Sequence, residues 1–573
     1  MRASKPRLAT AGLGAIVAAA ALATASIAAP EATRPTSVAA ANTKSPGYAP
    51  PNALSRELAE IVAAQGSNRL ENGTPEIPYY GYDGDGPMVP PPGATQSPGH
   101  NVEATKTEPD KNTYLTLSNQ RGADAHYGYG RHFLFQGHEN SGPSASGYIT
   151  RINLDADGRH RVTLLATRDT SGTPLPNFDG STWDPFAHRL LFSSEKGNKG
   201  GVWQATLGVP STVQDISGAF GRGGYEGMQN DSAGNVWFIE DVGGKAGTAS
   251  PHAKQPNSFI YRFKPARASD LTRGRLQALQ VTSLRTGNPI AFHEGQADAD
   301  IKSDDTRDLH NYGHQFRTRW VTIHDTATDG ATAFDANALA KAKAATPFKR
   351  PENGQFRPGS RFTQFYFDET GDTNADTEAG AAFGGFGGIQ KLTQSSPSAD
   401  SGRMTLFYRS DVAHTGFDNV AFFSRNRVGF VEDAGDALHT QRNALDSGFL
   451  FDVRTNYSSP HAPRPVRFLA QGRDPSATLD SGLGSTSGNG FQNDGDNEIT
   501  GLHVSDGDPG TGGILGAKIP SPFQAQNAAR RHRGRGHRSQ HRRTHAAERW
   551  RVFYTQQHGD NVTWEIVAAP HRR

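Results

Sequence analysis

Cysteine is absent from the 573-residue sequence. Disulfides therefore add nothing to stability, thiolate zinc sites are excluded, and any bound metal must be held by carboxylate, carbonyl, imidazole or water. Beyond the N-terminus no segment is long and apolar enough to cross a bilayer, so the mature chain is expected to have no membrane span. The basic run RRHRGRGHRSQHRR, residues 530–543, has seven Arg and no acidic, aromatic or apolar residue. Without apolar periodicity it reads as a disordered, solvated loop, and without interleaved aromatics no nucleic-acid partner is expected. No Ser or Thr stands in a nucleophile elbow or comparable activated setting, which argues against a covalent hydrolase.

The N-terminus carries Arg2, Lys5 and Arg7, then LATAGLGAIVAAAALATASIAA, with small residues at Ala23, Ala25, Ser26 and Ala28. This is the pattern of a signal peptide over residues 1–29, without the paired Arg of the twin-Arg route, so Sec-type export and an extracellular location are expected. An uncleaved anchor is the alternative. The formal charge of +2 hides a segregation, because the cations of the signal region and of the basic run leave an acidic body. Residues 30–110, rich in Pro, Ala, Thr and Gly, read as a low-complexity tether with one candidate helix at ALSRELAEIVAAQ.

The 65 Gly and 35 Pro, with 35% hydrophobic residues, suit many short strands and turns better than a helical bundle. One motif recurs. In YEGMQNDSAGNVWFIEDVGG a carboxylate, Glu226, precedes a short strand, a turn follows, and a second strand ends in Glu240 and Asp241. NFDGSTWDPFAHRLLFSSEKG repeats this from Asp179 to Glu195, RPENGQFRPGSRFTQFYFDETGD from Glu352 to Asp368 and Glu369, and FDNVAFFSRNRVGFVEDAGD from Asp418 to Glu432 and Asp433. Weaker copies flank these four. HYGYGRHFLFQGHEN ends in His138, Glu139 and Asn140, and DNEITGLHVSDG begins with Asp496, Asn497 and Glu498 and pairs with RWRVFYTQQHGDN, closing at Gln557 and His558. Third strands follow in GYITRI, GVWQAT, SFIYRF, GGIQKL, GFLFDV and VTWEI. Six such units predict an all-β, six-bladed β-propeller over residues 111–568. Insertions are expected at about 266–349, with a short helix in FDANALAKAKAA capped by Asp335, and at about 509–549, which contains the basic run.

In an antiparallel hairpin the start of the first strand and the end of the second share one edge, so Glu226 and Asp241 should lie together, with Asp231 at the other end. Stacked radially, the units bring a ring of carboxylates to one channel mouth. Such acids raise one another's pKa unless cations intervene, which predicts a multi-metal site for hard ions such as Ca²⁺, Mg²⁺ or Fe³⁺. His310 and His314, four residues apart, form a further candidate pair, although such a pair is more often part of a polar loop.

The stretches FLFQGHEN, RPENGQF, FDNVAFFSRNRVGFVED and NEITGLHVSDG with VFYTQQHGDN resemble, in that order, the PhoX-type alkaline phosphatases. These are exported, metal-dependent phosphomonoesterases on a six-bladed propeller. The resemblance spans roughly residues 115–568 in patches. It implies metal carboxylates at Glu195, Glu226, Asp241, Glu352 and Asp418, and a phosphate-facing Arg350. It also implies an iron centre with a Cys ligand upstream of Glu195, and there this chain offers only Asp179 or Ser181. The family's Glu-Glu pair is here Glu195-Lys196. Ca²⁺ held by oxygen ligands is the expected cofactor and Fe³⁺ the further one.

The expected substrate is a small phosphomonoester, its phosphoryl oxygens gripped by Arg350 or Lys196 while metal activates the attacking oxygen. Arg350 could equally serve as an ordinary partner of Glu352. The rival functions are a Ca²⁺-dependent lactonase or esterase, favoured by Asn419 and Asn497, and a secreted, calcium-stabilised binding propeller without catalysis. A monomer is expected.

Overall fold

The computed structural model describes residues 34–44, 51–81, 107–139, 147–472, 498–523, 550–557 and 561–570. The signal region, Asn140, Asp496, Asn497, the basic run and His558 lie outside the described residues. Two short strands come first, β1 (Ala53–Leu54) and β2 (Leu58–Ala64). The chain then forms β3 (Pro109–Thr116), β4 (His132–His138), β5 (Tyr148–Asn153) and β6 (Val162–Ala166), antiparallel neighbours in one sheet. A second sheet contains β7 (Ser181–Asp184), β8 (Arg189–Ser194), β9 (Gly201–Ala205) and β10 (Val213–Asp215).

Next come β11 (Tyr225–Asn230), β12 (Val236–Glu240), β13 (Ile260–Arg267), β14 (Asp270–Val281) and β15 (Phe316–Asp325). They are followed by β16 (Gly354–Phe356), β17 (Gln364–Glu369), β18 (Gly388–Gln394) and β19 (Ser401–Arg409). These nine strands form one sheet, in which β15 pairs with β19. The last two sheets are β20 (Phe417–Phe422), β21 (Arg427–Glu432), β22 (Ser447–Asp452) and β23 (Val466–Ala470), joined by β1, and β24 (Glu498–Ser505), β25 (Arg551–Gln557) and β26 (Val562–Ala568), joined by β2.

The fold is all-β with a propeller-like arrangement of sheets. Where six separate blades are expected, hydrogen bonding gives five sheets, because the nine-stranded one joins two units at their outer strands. Buried Arg262 on β13 explains the join. Its guanidinium lies over the rings of Trp237 and Trp320, at 5.6 and 4.6 Å from their centroids, and donates at 2.8 Å to the carbonyls of Pro397 and Ala399 in the turn before β19. That turn is thereby fixed against β15, and the Trp320 amide donates to Asp400 O at 2.9 Å.

The first strands of the repeated units meet at the centre. Ser181 Oγ donates to Lys111 O at 2.8 Å, and Ser193 Oγ donates to Glu226 O. The Gly227 amide donates to Glu352 O at 2.9 Å, and Thr370 Oγ1 to Phe417 O at 2.7 Å. Asn419 Nδ2 donates to Thr500 Oγ1 at 3.1 Å, and Asn112 Nδ2 to Gly501 O at 2.8 Å. β3, β7, β11, β16, β20 and β24 are thus linked into a closed cycle, with hydrophobic clusters between adjacent sheets.

Three sequence expectations need correction. ALSRELAEIVAAQ is not a helix but β1 and β2, because the open edges of β23 and β26 offer backbone partners that outweigh local helix propensity. The stretch read as a tether thus supplies strands to the last two sheets. Residues 266–349 are not only an insertion, since β14 and β15 lie within them and join the nine-stranded sheet; Ala336–Ala342 is the expected helix, with Asp335 accepting from the Ala338 amide at 2.8 Å. The partner of β4 is β3, so the first unit begins at Pro109 rather than within HYGYGRHF.

The strand assignment predicts opposite roles for near neighbours, since Leu58 is 6% exposed and Ile61 51%. Leu58→Ala should cost about 2–4 kcal/mol and Ile61→Ala under about 0.5 kcal/mol, read from denaturant midpoints at equal slope. A helix would place both on one apolar face and make the two costs alike.

Candidate metal centre

Three of the inner strands, β3, β11 and β20, deliver their acid through a local irregularity. The ladder shifts register between Pro109 and Asn112, between Tyr225 and Met228, and between Phe417 and Val420, which places Asp110-Lys111, Glu226-Gly227 and Asp418-Asn419 in bulges. A bulge breaks the strict alternation of side chains, so an acid at the strand start can be re-aimed toward the axis. The residue after the acid must then allow a close approach. A Cβ at Gly227 would lie 2.1 Å from Asn353 Oδ1, and one at Gly180, after Asp179, 1.9 Å from Glu226 O.

Acids from successive units form a continuous chain. One carboxylate oxygen each from Asp110, Glu139 and Asp179 lies within 4.8 Å of the others, and the same holds for Asp179, Glu195 and Glu226 and for Glu226, Asp241 and Glu352. Asp179 and Glu226 are the shared members. The hairpin argument therefore holds in space: Glu226 and Asp241 are together, whereas Asp231 is at the far turn, accepting from Asn235 Nδ2 and Trp237 Nε1 at 2.8 Å. Asp418 extends the chain beside Glu352. Its Oδ1 accepts from Asn419 Nδ2 at 2.6 Å, while its Oδ2 and Asn419 Oδ1 are buried without a hydrogen-bond partner.

Burial drives every one of these pKa shifts and the neighbouring acids reinforce it. Glu226 is pushed well above the usual carboxylate range by burial and by Asp179, Glu352, Glu195 and Asp241. Asp110, Asp179, Glu195 and Glu352 follow the same pattern, and burial pushes Asp418 up to about 6.

Three cations stand among them. Lys111 donates to Asn353 Oδ1; burial lowers its pKa, and Asp418, Asp368, Asp110 and Asp179 oppose that shift. Arg350 does not point freely into the centre as the resemblance implies: Nη2 lies 2.6 Å from Asp241 Oδ2 and 3.5 Å from Glu352 Oε1. Its φ of +52°, costly for a side chain of this size, sets that direction. Lys196 is exposed at the rim, its charge favouring ionised Glu139 and Glu195.

Other candidates separate from the chain. Glu240 accepts from Tyr261 Oη and Asn337 Nδ2 at 3.0 Å, and burial raises its pKa to about 8. His310 faces Glu369 at 3.2 Å, whereas His314 neighbours Asn311, so the two do not form a ligand pair. His138 has both ring nitrogens engaged, by Thr107 O and Thr150 Oγ1, and burial lowers its pKa to about 3.

Sequence reasoning missed Asp110, Lys111 and the role of Glu139. The signal was present, since Asp110-Lys111 starts a strand as Glu226-Gly227 does, but residues 117–131 separate β3 from β4 and hide the spacing.

Eight carboxylates outnumber three cations in the group, and the orphaned Asp418 Oδ2 is a ligand atom without a hydrogen-bond partner. The donors are all oxygen, which fits hard cations such as Ca²⁺. The thiolate implied for iron has no counterpart, and Asp179 occupies that part of the chain.

No protein-family model matches the sequence, nor does any curated protein. Among solved structures, the chain is similar to Pseudomonas fluorescens PhoX in complex with vanadate, a transition state analogue, at 10% identity and a TM-score of 0.50, covering 92% of this chain and 98% of that one. Sqt1 from Chaetomium thermophilum matches at 9% identity and a TM-score of 0.34 over 81% and 97%. A GH43_1 enzyme from Xanthomonas citri matches at 9% and 0.23 over 61% and 88%. The likeness to PhoX shows a shared fold, and the two weaker ones carry no argument. No helix among the described residues is long and apolar enough to cross a membrane.

Because the folded-state pKa values of Asp110, Asp179, Glu195, Glu226, Glu352 and Asp418 are raised, the folded metal-free protein keeps protons that the unfolded chain loses above the ordinary values of 3.8 and 4.5. Its stability should therefore fall as pH rises from about 4 toward 8, with Asp418 alone contributing on the order of 3 kcal/mol. Calorimetry after exhaustive chelation checks this, and a Tm that rises over that interval would contradict it.

Proposed function

We propose that the protein is an exported, metal-dependent phosphomonoesterase whose cations are held by the carboxylate chain at the propeller centre. The observation that carries this reading is the run of buried and half-buried acids from Asp110 to Glu352, each group of three within 4.8 Å, which is unfavourable without added positive charge. The nine-stranded sheet is read here as two blades fused by β15 and β19, which gives six blades and one acid-bearing hairpin in each. The PhoX structure of the same fold was solved in complex with vanadate, a transition state analogue, and that likeness supports the reading.

Glu195, Glu226, Asp241, Glu352, Asp418 and Asp179 would hold Ca²⁺, joined by Asp110 and Glu139, and Fe³⁺ would have to accept the same oxygen ligands. When bound, such ions neutralise charge on the phosphoryl oxygens and activate the attacking oxygen. Arg350, whose Nε and Nη2 engage Asp241, would offer its remaining N–H groups to a non-bridging oxygen. Lys196 at the rim draws a dianionic substrate toward the negatively lined centre, and Lys111 holds the chain near Asp418 together from within.

A second reading, a lactonase or esterase with one Ca²⁺, is favoured by the paired buried orphans Asp418 Oδ2 and Asn419 Oδ1. Metal analysis separates the two, since several ions per chain fit the phosphatase and one fits the lactonase. Metal without turnover would leave a calcium-stabilised binding propeller.

Two outcomes are expected. Hydrolysis of a chromogenic phosphomonoester should be measurable with an alkaline optimum and should vanish on chelation; full activity after exhaustive chelation would remove the metal from the chemistry. Glu226→Gln, Asp241→Asn and Glu352→Gln should each lower metal content, with losses that do not add, because the three acids share one group. Asp231→Asn is the control: mass-spectrometric metal counts should not change, and a loss there with none at Glu226 would reverse the assignment.

A further inference from the structure

Glu369 ends β17 and belongs to none of the three carboxylate groups, yet it is only 1% exposed. Its Oε1 accepts from the Lys349 amide at 3.0 Å, and its Oε2 accepts from Gln390 Nε2 at 2.9 Å and faces His310 Nε2 at 3.2 Å. His310 is equally buried and follows the short helix Asp304–Leu309, which lies between β14 and β15. Its Nδ1 donates to Thr306 O at 2.8 Å, which leaves Nε2 for the carboxylate. Gly384 packs over the ring, where a Cβ would collide with Nε2. Burial pushes the Glu369 carboxyl up, but His310, Gln390 and the Lys349 amide outweigh it and hold the group below the usual carboxylate range.

What this carboxylate holds is the backbone that carries Arg350. The Gly371 amide donates to Lys349 O at 3.2 Å and the Thr370 amide to Arg350 O at 2.7 Å, so residues 349–350 are fastened to residues 369–371 at three points. The Lys349 side chain adds two more, its Nζ donating to Asp372 Oδ1 at 2.6 Å and to Lys254 O at 2.7 Å. A left-handed φ of +52° at an arginine persists only where the surroundings over-determine it. Through Glu369 this stretch is tied to His310, and so to the helical segment before β15.

We infer that Glu369 and His310 are positioning residues for Arg350, so that the helical segment between β14 and β15 sets the direction in which that guanidinium meets a phosphoryl oxygen. What Arg350 grips rests on the phosphomonoesterase reading; how it is held rests on the hydrogen bonds. Neither residue touches the reacting atoms. A pair that served only to anchor the helical segment would leave Arg350 indifferent to its loss.

Two measurements on the full chain loaded with Ca²⁺ test this. The first is the rate at which phenylglyoxal modifies Arg350, read by peptide mass spectrometry, which needs no turnover. Asp241 covers the guanidinium, and His310→Gln and Glu369→Ala should each raise that rate about three-fold or more by releasing it. Glu369→Gln keeps an acceptor for the Lys349 amide and should fall between the wild type and Glu369→Ala. Should the alanine variant not fold, His310→Gln carries the comparison. His314→Gln, beside Asn311, is the control and should change the rate less than about two-fold. The second measurement is hydrolysis of a chromogenic phosphomonoester. His310→Gln should lower kcat/KM about five-fold in the native background and less than about two-fold in an Arg350→Ala background, because both substitutions remove one contact. Unchanged modification of Arg350 in folded His310→Gln, or a loss of kcat/KM that adds in full to that of Arg350→Ala, would overturn the inference. Absence of hydrolysis by the wild type would end the phosphatase reading and leave the modification rates to decide how Arg350 is held.

Discussion

The structure depends on repulsion between carboxylates that the fold itself forces together. Asp110, Asp179, Glu226, Glu352 and Asp418 begin the inner strands or immediately precede them, and the closed cycle of those strands leaves their side chains no separate places to go. Nearby residues follow from this constraint. Gly180 and Gly227 lack the Cβ that would block closure, Asn353 and Asn419 offer amide donors to Asp418, and Lys111 and Arg350 add charge where the acids are densest. The amides and cations lower the electrostatic cost of the centre, and none removes it.

Closure of the cycle is non-local at two points. The last sheet is completed by β2 from the N-terminal side, so the outer edge of β26 is covered only when both ends of the chain are in place. The nine-stranded sheet is fixed by Arg262, which reaches from β13 to the turn before β19 and trades its hydration for two carbonyls and two indole faces. The same seam that Arg262 secures brings Arg317 opposite Arg403, so like charges face each other at an outer seam as well as at the centre.

Much of this architecture was legible because strand pattern and turn chemistry are local. The recurrence of acid, strand, turn, strand, acid located five of the six inner hairpins' acids, and the third strands GYITRI, GVWQAT, SFIYRF, GGIQKL, GFLFDV and VTWEI are all strands in the structure. Asp335 was readable as a helix cap for the same reason, since its acceptor and donor are three residues apart. The illegible parts share one property, dependence on a distant partner. Residues 53–64 look helical until β23 and β26 offer edges, and Asp110 looks unremarkable until Glu139 and Asp179 approach it.

The sequence by itself determined which residues would be acidic, that they would sit at one edge of each hairpin, and that no thiolate could join them. Antiparallel pairing is set by alternation and turn length, and both are written within twenty or so residues. Only the tertiary structure decided which acids share a group, that Glu240 turns aside to Tyr261 and Asn337, that Arg350 is bound to Asp241, and that two arginines face each other at an outer seam. Those outcomes hang on side-chain direction and on contacts between segments hundreds of residues apart, and these exist only once the cycle of strands has closed.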